Sequence, residues 1–257
     1  MQPVKLMGRV ECGHLDVVPV GQHSACEEAG LRRRIAVNWE VLSKVPIRIL
    51  TLLLLTGGLL QHSNRVAGFD DDESGFECIF DGETLDHWEG DSGVFRVEDG
   101  AVVGGSLRRK IPHNFFLRYE RSYSDFELRL QFKLIGTSTN AGIQLRSKRI
   151  PGHHEMIGYQ ADLGQTYWGC LYDESRRRKV LAGPNQQELA KVLKPNAWND
   201  YRIVCKSSRI QLWINGAQTV DYRELDKSIE LHGDIALQIH GGPPGEAWYR
   251  NIRIRKL

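Results

Sequence analysis

Three short segments of this chain alternate apolar and polar residues with a period of two. They are Asn140-Ala141-Gly142-Ile143-Gln144-Leu145-Arg146, Tyr159-Gln160-Ala161-Asp162-Leu163 and Leu237-Gln238-Ile239-His240. Successive side chains point to opposite faces of a β-strand, so this period predicts three strands, each with one packed face. Gln144 and Arg146 then share the polar face, as do Gln160 with Asp162 and Gln238 with His240. Ile143, Leu145, Leu163, Leu237 and Ile239 take the other. Ordinary surface strands carry Lys, Glu and Thr on the wet side. Here that side carries amides, an arginine, a carboxylate and a histidine, the groups that hydrogen-bond a sugar or act on one.

The same pattern recurs from Phe76 onward, punctuated by turns. Phe126, Leu128, Leu130, Phe132 and Leu134 alternate with Glu127, Arg129, Gln131 and Lys133, which predicts a half-buried antiparallel strand. Strand signals at 201–205 and 210–214 lead to Asn215-Gly216, a dipeptide suited to a tight hairpin turn with positive φ, and the chain returns over 218–222. A last strand is expected over 247–255. Helical periodicity is confined to about 186–192, and no internal repeat is present. Many short strands with long connections at 146–158, 173–191 and 241–246 favour an all-β, two-sheet β-sandwich over a closed barrel. Two of those connections leave the polar strands directly, where loops on a rigid sheet usually carry function.

The N-terminal part reads differently. Residues 1–46 show no sustained period and are expected to be unstructured, or an over-extended start. A basic flank, Lys44 to Arg48, then precedes the apolar run Ile49 to Leu60, which is too short to span a bilayer comfortably. Val66-Ala67-Gly68 supplies small residues for cleavage, so 47–68 reads as a signal peptide, with an uncleaved anchor as the alternative. This predicts an extracytoplasmic protein, periplasmic or secreted, that meets the membrane only transiently through the signal segment. An acidic linker, 69–75, would lead into a domain over 76–257.

With 34 Lys and Arg against 32 Asp and Glu, the chain lacks the basic excess of a nucleic-acid binder. Cleavage would leave Cys78, Cys170 and Cys205, three thiols that cannot all pair, so no disulfide framework is expected. Cys170 and Cys205 sit in strand-like runs and read as small buried hydrophobes. No phosphate-binding loop, nucleophile elbow or Cys/His zinc signature occurs, and no single strand carries the paired acids of ordinary glycosidase chemistry. No cofactor is predicted.

Ile79-Phe80-Asp81-Gly82-Glu83-Thr84-Leu85-Asp86-His87-Trp88 resembles the opening phrase of the 3-keto-disaccharide hydrolase domain family. The resemblance continues, in the family's order, through the 140–146 segment, Gly158-Tyr159-Gln160-Ala161-Asp162 and Gly169-Cys170-Leu171-Tyr172-Asp173. It then runs through Trp198 to Ile203, Trp213-Ile214-Asn215-Gly216, Ala236 to Gly242, and Trp248 to Ile254. It spans Phe76 to Leu257. It implies a concanavalin A-like jelly-roll sandwich, export, and action on glycosides oxidised at C3. Two departures stand out: Ala141, where the family often has Ser, and Ala161 beside Gln160.

On that reading a C3 ketone acidifies the C2 proton, a base removes it, the C1 substituent leaves, and water adds back. Arg146 is a candidate to hold the ketone or enolate oxygen through its forked donors, or else a salt-bridge partner of Asp162 or Glu155. Asp162 is the leading carboxylate for proton transfer, with a structural pairing to Arg146 as the alternative. His240 exchanges protons near neutral pH, or else holds the turn that follows it. Asn140, Gln144, Gln160, Gln238 and Tyr172 are candidate sugar contacts. Tyr159 has core parity. His153-His154-Glu155 has some character of a metal cluster, but a solvated loop is the favoured account and no metal is predicted. Arg176-Arg177-Arg178-Lys179 reads as a solvated basic loop. The alternative to an enzyme is a non-catalytic carbohydrate-binding module, or a scaffold domain of the same fold. The expected partner is a carbohydrate.

Overall fold

The computed structural model describes residues 73–257; the expected N-terminal stretch 1–46, the signal peptide 47–68 and most of the linker 69–75 lie outside the described residues. Along the chain run β1 (Glu77–Cys78), β2 (Trp88–Glu89), β3 (Phe95–Glu98), β4 (Ala101–Ser106), β5 (Phe115–Tyr123), β6 (Phe126–Ile135), β7 (Asn140–Arg149) and β8 (Met156–Gly164). There follow β9 (Leu171–Glu174), β10 (Val180–Ala182), the helix α1 (Gln186–Ala190), β11 (Asn199–Lys206), β12 (Arg209–Ile214), β13 (Ala217–Arg223), β14 (Gly233–Ile239) and β15 (Gly245–Lys256).

The strands form two sheets. One has the order β13-β12-β11-β6-β15-β4-β3, with β1 also paired to β15; the other runs β10-β9-β8-β7-β14-β5-β2. This is the expected all-β sandwich. The odd-even pattern read from the sequence builds the layer between the sheets. Phe126, Leu128, Phe132, Ile203, Ile210 and Leu212 of the first sheet meet Ile143, Leu145, Leu163, Leu237 and Ile239 of the second. Each such side chain, fully buried, contributes roughly 1.5–3 kcal/mol. Cys170 and Cys205 are buried, as their strand-like setting suggested.

Local chemistry explains the connections. Asn215 and Gly216 have φ of 49° and 83°, the left-handed pair that a two-residue hairpin needs. The single turn of α1 is capped by the Asn185 side chain, which accepts from the backbone N–H groups of Gln187 and Glu188.

One connection departs from the sequence reading. The expected 146–158 loop is largely strand, because β7 runs to Arg149 and β8 starts at Met156. The pairing of these strands slips between Leu145 and Lys148. Arg146 takes φ of 47° at this bulge, and Gly158 opposite has φ of 150°. A Cβ at Gly158 would come within 2.7 Å of the Ser147 backbone, so only glycine fits. Bulges bend the strand that carries them. Here the hairpin folds back across its own sheet. Met156 packs on Phe116 of β5 and Ala236 of β14, the Asn114 amide donates to Glu155 at 3.1 Å, and the rings of His113 and His154 lie 4.2 Å apart. Arg149 completes the landing by donating to the Phe116 carbonyl at 3.0 Å. Among the described residues, no helix is long and apolar enough to cross a membrane.

Candidate active site

Strand register lays out the face beneath this folded hairpin. Gln238 stands opposite Gly142, and Gly142 opposite Asp162. One step along, Ala236, Gln144, Gln160 and Tyr172 follow one another across four strands. A further step brings Gly158 opposite Glu174 of β9. Gly142 is required here, since the Gln160 side chain lies over it and an added Cβ would meet Gln160 Cγ and Cδ at 2.7 Å.

The polar groups of this face form a relay. Ser147 Oγ donates to Gln144 Oε1 at 2.6 Å, Gln144 Nε2 donates to Gln160 Oε1 at 2.5 Å, and Gln160 Nε2 donates to Asp162 Oδ1 at 2.7 Å. All of these residues are buried. Burial pushes the Asp162 carboxyl up to about 8; the Gln160 hydrogen bond opposes this and the nearby charge of Glu174 adds to it. The Glu174 carboxyl rises to about 7, first through burial and then through repulsion from Glu155. Beside them, both amide atoms of the fully buried Gln238 lack a partner. A buried amide without hydrogen bonds costs on the order of 1–3 kcal/mol, and such a group is explained by a ligand or water it is built to meet.

Residues 75–255 match the 3-keto-alpha-glucoside-1,2-lyase-like domain. The chain belongs to this family. No curated protein sequence matches it. Among solved structures, a candidate glycosyl hydrolase from Parabacteroides distasonis superposes with a TM-score of 0.54 at 18% identity, covering 71% of this chain and 94% of that one. The Emp47p carbohydrate recognition domain superposes with a TM-score of 0.50 at 9% identity, covering 72% and 98%. The exoplasmic domain of VIP36, bound to Ca2+ and Man3GlcNAc, gives 0.50 at 11%, covering 71% and 88%. At such identities these neighbours share the lectin-like fold, and the family's concanavalin A-like sandwich is the one observed here.

Of the site residues expected from sequence, the fold brings Gln144, Gln160, Asp162 and Gln238 onto one face of this lyase-like domain. Asn140 starts β7 on the same face, and Tyr172 borders it half-buried, edge-on to Tyr167 at 6.4 Å. His240 is exposed at the rim. Its Nδ1 lies 2.6 Å from the Gly241 carbonyl and its backbone N–H reaches Asn140 O.

Arg146 does not join them. The bulge turns its side chain toward the other sheet, where Nε donates to Ser124 O at 2.6 Å, Nη1 to Ser207 O at 2.7 Å and Nη2 to Asp125 Oδ1 at 3.0 Å. It pairs with neither Asp162 nor Glu155. Its guanidinium is committed to clipping two turns together, which removes it as an oxyanion binder.

One loop reading is also corrected. Arg176 and Arg177 are not a solvated run, because both bind the buried Asp173 carboxylate and Arg177 also binds Glu224. His153 and His154 are exposed in a turn, as the solvated-loop reading expected, with their rings stacked at 4.3 Å and His154 Nε2 3.3 Å from Glu155. Among the described residues no group of His, Cys, Asp and Glu is placed to hold a metal.

Glu174 was missed. The signal was present, since Leu171 and Asp173 point inward while Tyr172 and Glu174 point to the face. A strand of four residues is too short for periodicity to reveal by itself.

Proposed function

We propose that this domain cleaves 3-keto-glycosides by removing the proton next to the ketone, eliminating the C1 substituent and adding water. One observation carries this reading: the buried Asp162 carboxyl, without an ion pair and with its proton affinity raised by burial, ends an amide relay on the face that also holds the unpartnered amide of Gln238. A neutral carboxylic acid is a hydrogen-bond donor, and donors fixed in a water-poor site stabilise an enolate oxygen far better than water does. The role expected of Arg146 thus passes to the Asp162 hydroxyl and the Gln238 N–H. Gln144 and Gln160 fix the Asp162 carboxyl through their relay. Asn140, Tyr172 and His240 border the face and are proposed as contacts to the sugar ring and its substituent.

The test is turnover of a 3-keto-disaccharide in deuterated water, followed by mass spectrometry and proton NMR. The expected result is cleavage with deuterium incorporated at C2 of the released 3-keto sugar. Cleavage without C2 exchange would favour direct hydrolysis. Binding of sugars without any turnover would make the domain a carbohydrate-binding module.

A further inference from the structure

The reaction proposed above needs a base, and the polar face identifies it. Asp162 is protonated near neutral pH, Arg146 is committed elsewhere, and His240 stands exposed at the rim with Nδ1 against its neighbour's carbonyl. The other buried carboxylates follow a rule. Glu127 is held by Arg129, Arg202 and Arg255, Asp173 by Arg176 and Arg177, Glu224 by Arg177, and Glu246 by Arg96. Asp162 breaks the rule, and so does Glu174 on the adjacent strand. Glu174 accepts only the Ser175 backbone N–H, at 3.2 Å, and makes no ion pair among the described residues. These two carboxyls alone among the described Asp and Glu side chains are shifted upward. They lie on one face with Gln238, whose fully buried amide has no partner there.

We propose that Glu174 is the base that takes the C2 proton of a 3-keto-glycoside, with the Asp162 carboxyl on the same face holding the ketone oxygen. This rests on the 3-keto-glycoside reading of the site. The C2–H bond breaks and its proton bonds to the Glu174 carboxylate. The electron pair moves onto the ketone oxygen, which the Asp162 hydroxyl and Gln238 N–H receive. The carbonyl then re-forms as C1=C2 forms and the C1–O bond breaks. The departing oxygen takes a proton from water, the resulting hydroxide adds at C1, and Glu174 returns its proton to C2. Both carboxyls end as they began, and the sum is addition of one water across the glycosidic bond.

The charges around Glu174 set its working range. Glu155 from the folded hairpin and Asp173 raise its affinity for a proton, and Arg178 together with the Ser175 N–H lowers it. Asp162 accepts from Gln160 and feels the charge of Glu174, and Cys170, Tyr172, Tyr201 and Tyr249 are the other titratable groups near it. Activity requires Glu174 ionised, which holds above about 7, and Asp162 protonated, which holds below about 8. The rate should therefore peak between these two values and fall on either side.

The experiment measures kcat/KM of the full chain on a 3-keto-glycoside from about pH 5 to 10, with C2 exchange, for the wild type, Glu174→Gln, Glu174→Asp and Asp162→Asn. Glu174→Gln is expected to lose on the order of 100-fold or more in rate and to abolish C2 exchange, with its thermal midpoint nearly unchanged. Glu174→Asp, which keeps the acid but moves it, is expected to keep exchange and the acidic limb at a reduced kcat. Asp162→Asn still presents an N–H donor. It is expected to turn over more slowly than wild type, to keep C2 exchange and to lose the alkaline limb, since an amide does not ionise. Normal exchange in Glu174→Gln overturns the proposal. So does loss of exchange in Asp162→Asn with Glu174→Gln active, which would make Asp162 the base. A wild type that turns over no 3-keto-glycoside fails at the earlier step and takes the functional reading down with it.

Discussion

Arg146 shows how one residue's backbone angle redirects its chemistry. In a regular strand it would stand beside Gln144. At φ of 47° it instead crosses to the turns 124–125 and 207–208. Its side chain is fully buried, whereas Asp125 is 31% exposed. Two carbonyls and a carboxylate on partly exposed turns take its donors, so truncation removes three charge-assisted hydrogen bonds and the packing of a fully buried side chain. Arg146→Ala is therefore expected to lower unfolding stability on the order of 3 kcal/mol, read from denaturant titration. An activity loss without a stability loss would show that the guanidinium works in the site after all. Gln238 is the converse case: its parity predicted the face it occupies, and only the fold shows that its amide is left unpartnered.

At the level of the element, the β7–β8 hairpin covers part of the polar face. Its tip rests on few contacts, namely Met156 against Phe116 and Ala236, the Asn114–Glu155 hydrogen bonds at 3.1 and 3.4 Å, the His113–His154 rings and the Arg149 donors. The strands beneath are tied by long ladders that slip only at Asp234–Ala236. A segment held by so few groups opens at lower free energy than the sheet that carries it. A side-chain hydrogen bond contributes about 1 kcal/mol net, or about fivefold in an opening equilibrium. Asn114→Ala should thus speed hydrogen exchange about fivefold over residues 150–158, while β6 and β11 keep their protection. Equal acceleration in β6 would mean that the hairpin opens only with the whole domain.

For the whole molecule, strand order sets the constraint. The last strand, β15, lies inside its sheet between β6 and β4 and also pairs with β1. Its partners are far away in sequence, so that sheet cannot close until the end of the chain is present. Such long-range pairing makes folding slow. A chain ending before Gly245 is expected to show no cooperative thermal transition. A sharp transition in that truncated chain would refute this account of the sheet.

The alternation of residues determined which faces of β6, β7, β8 and β14 pack, and Asn215-Gly216 determined its turn. These are consequences of strand pleat and left-handed φ, both local. The ordered motifs from Ile79 to Ile254 carried the family. Sequence placed Gln144, Gln160, Asp162 and Gln238 together because parity holds wherever a strand is regular. It misplaced Arg146 because a bulge adds a residue and shifts parity, and nothing in the one-dimensional pattern marks where pairing slips. It overlooked Glu174 because the two acids come from different strands and meet only through the β8–β9 register. The upward shift of those two carboxyls was decided by tertiary structure alone. It depends on how many other atoms exclude water and on which charges the folded hairpin brings near.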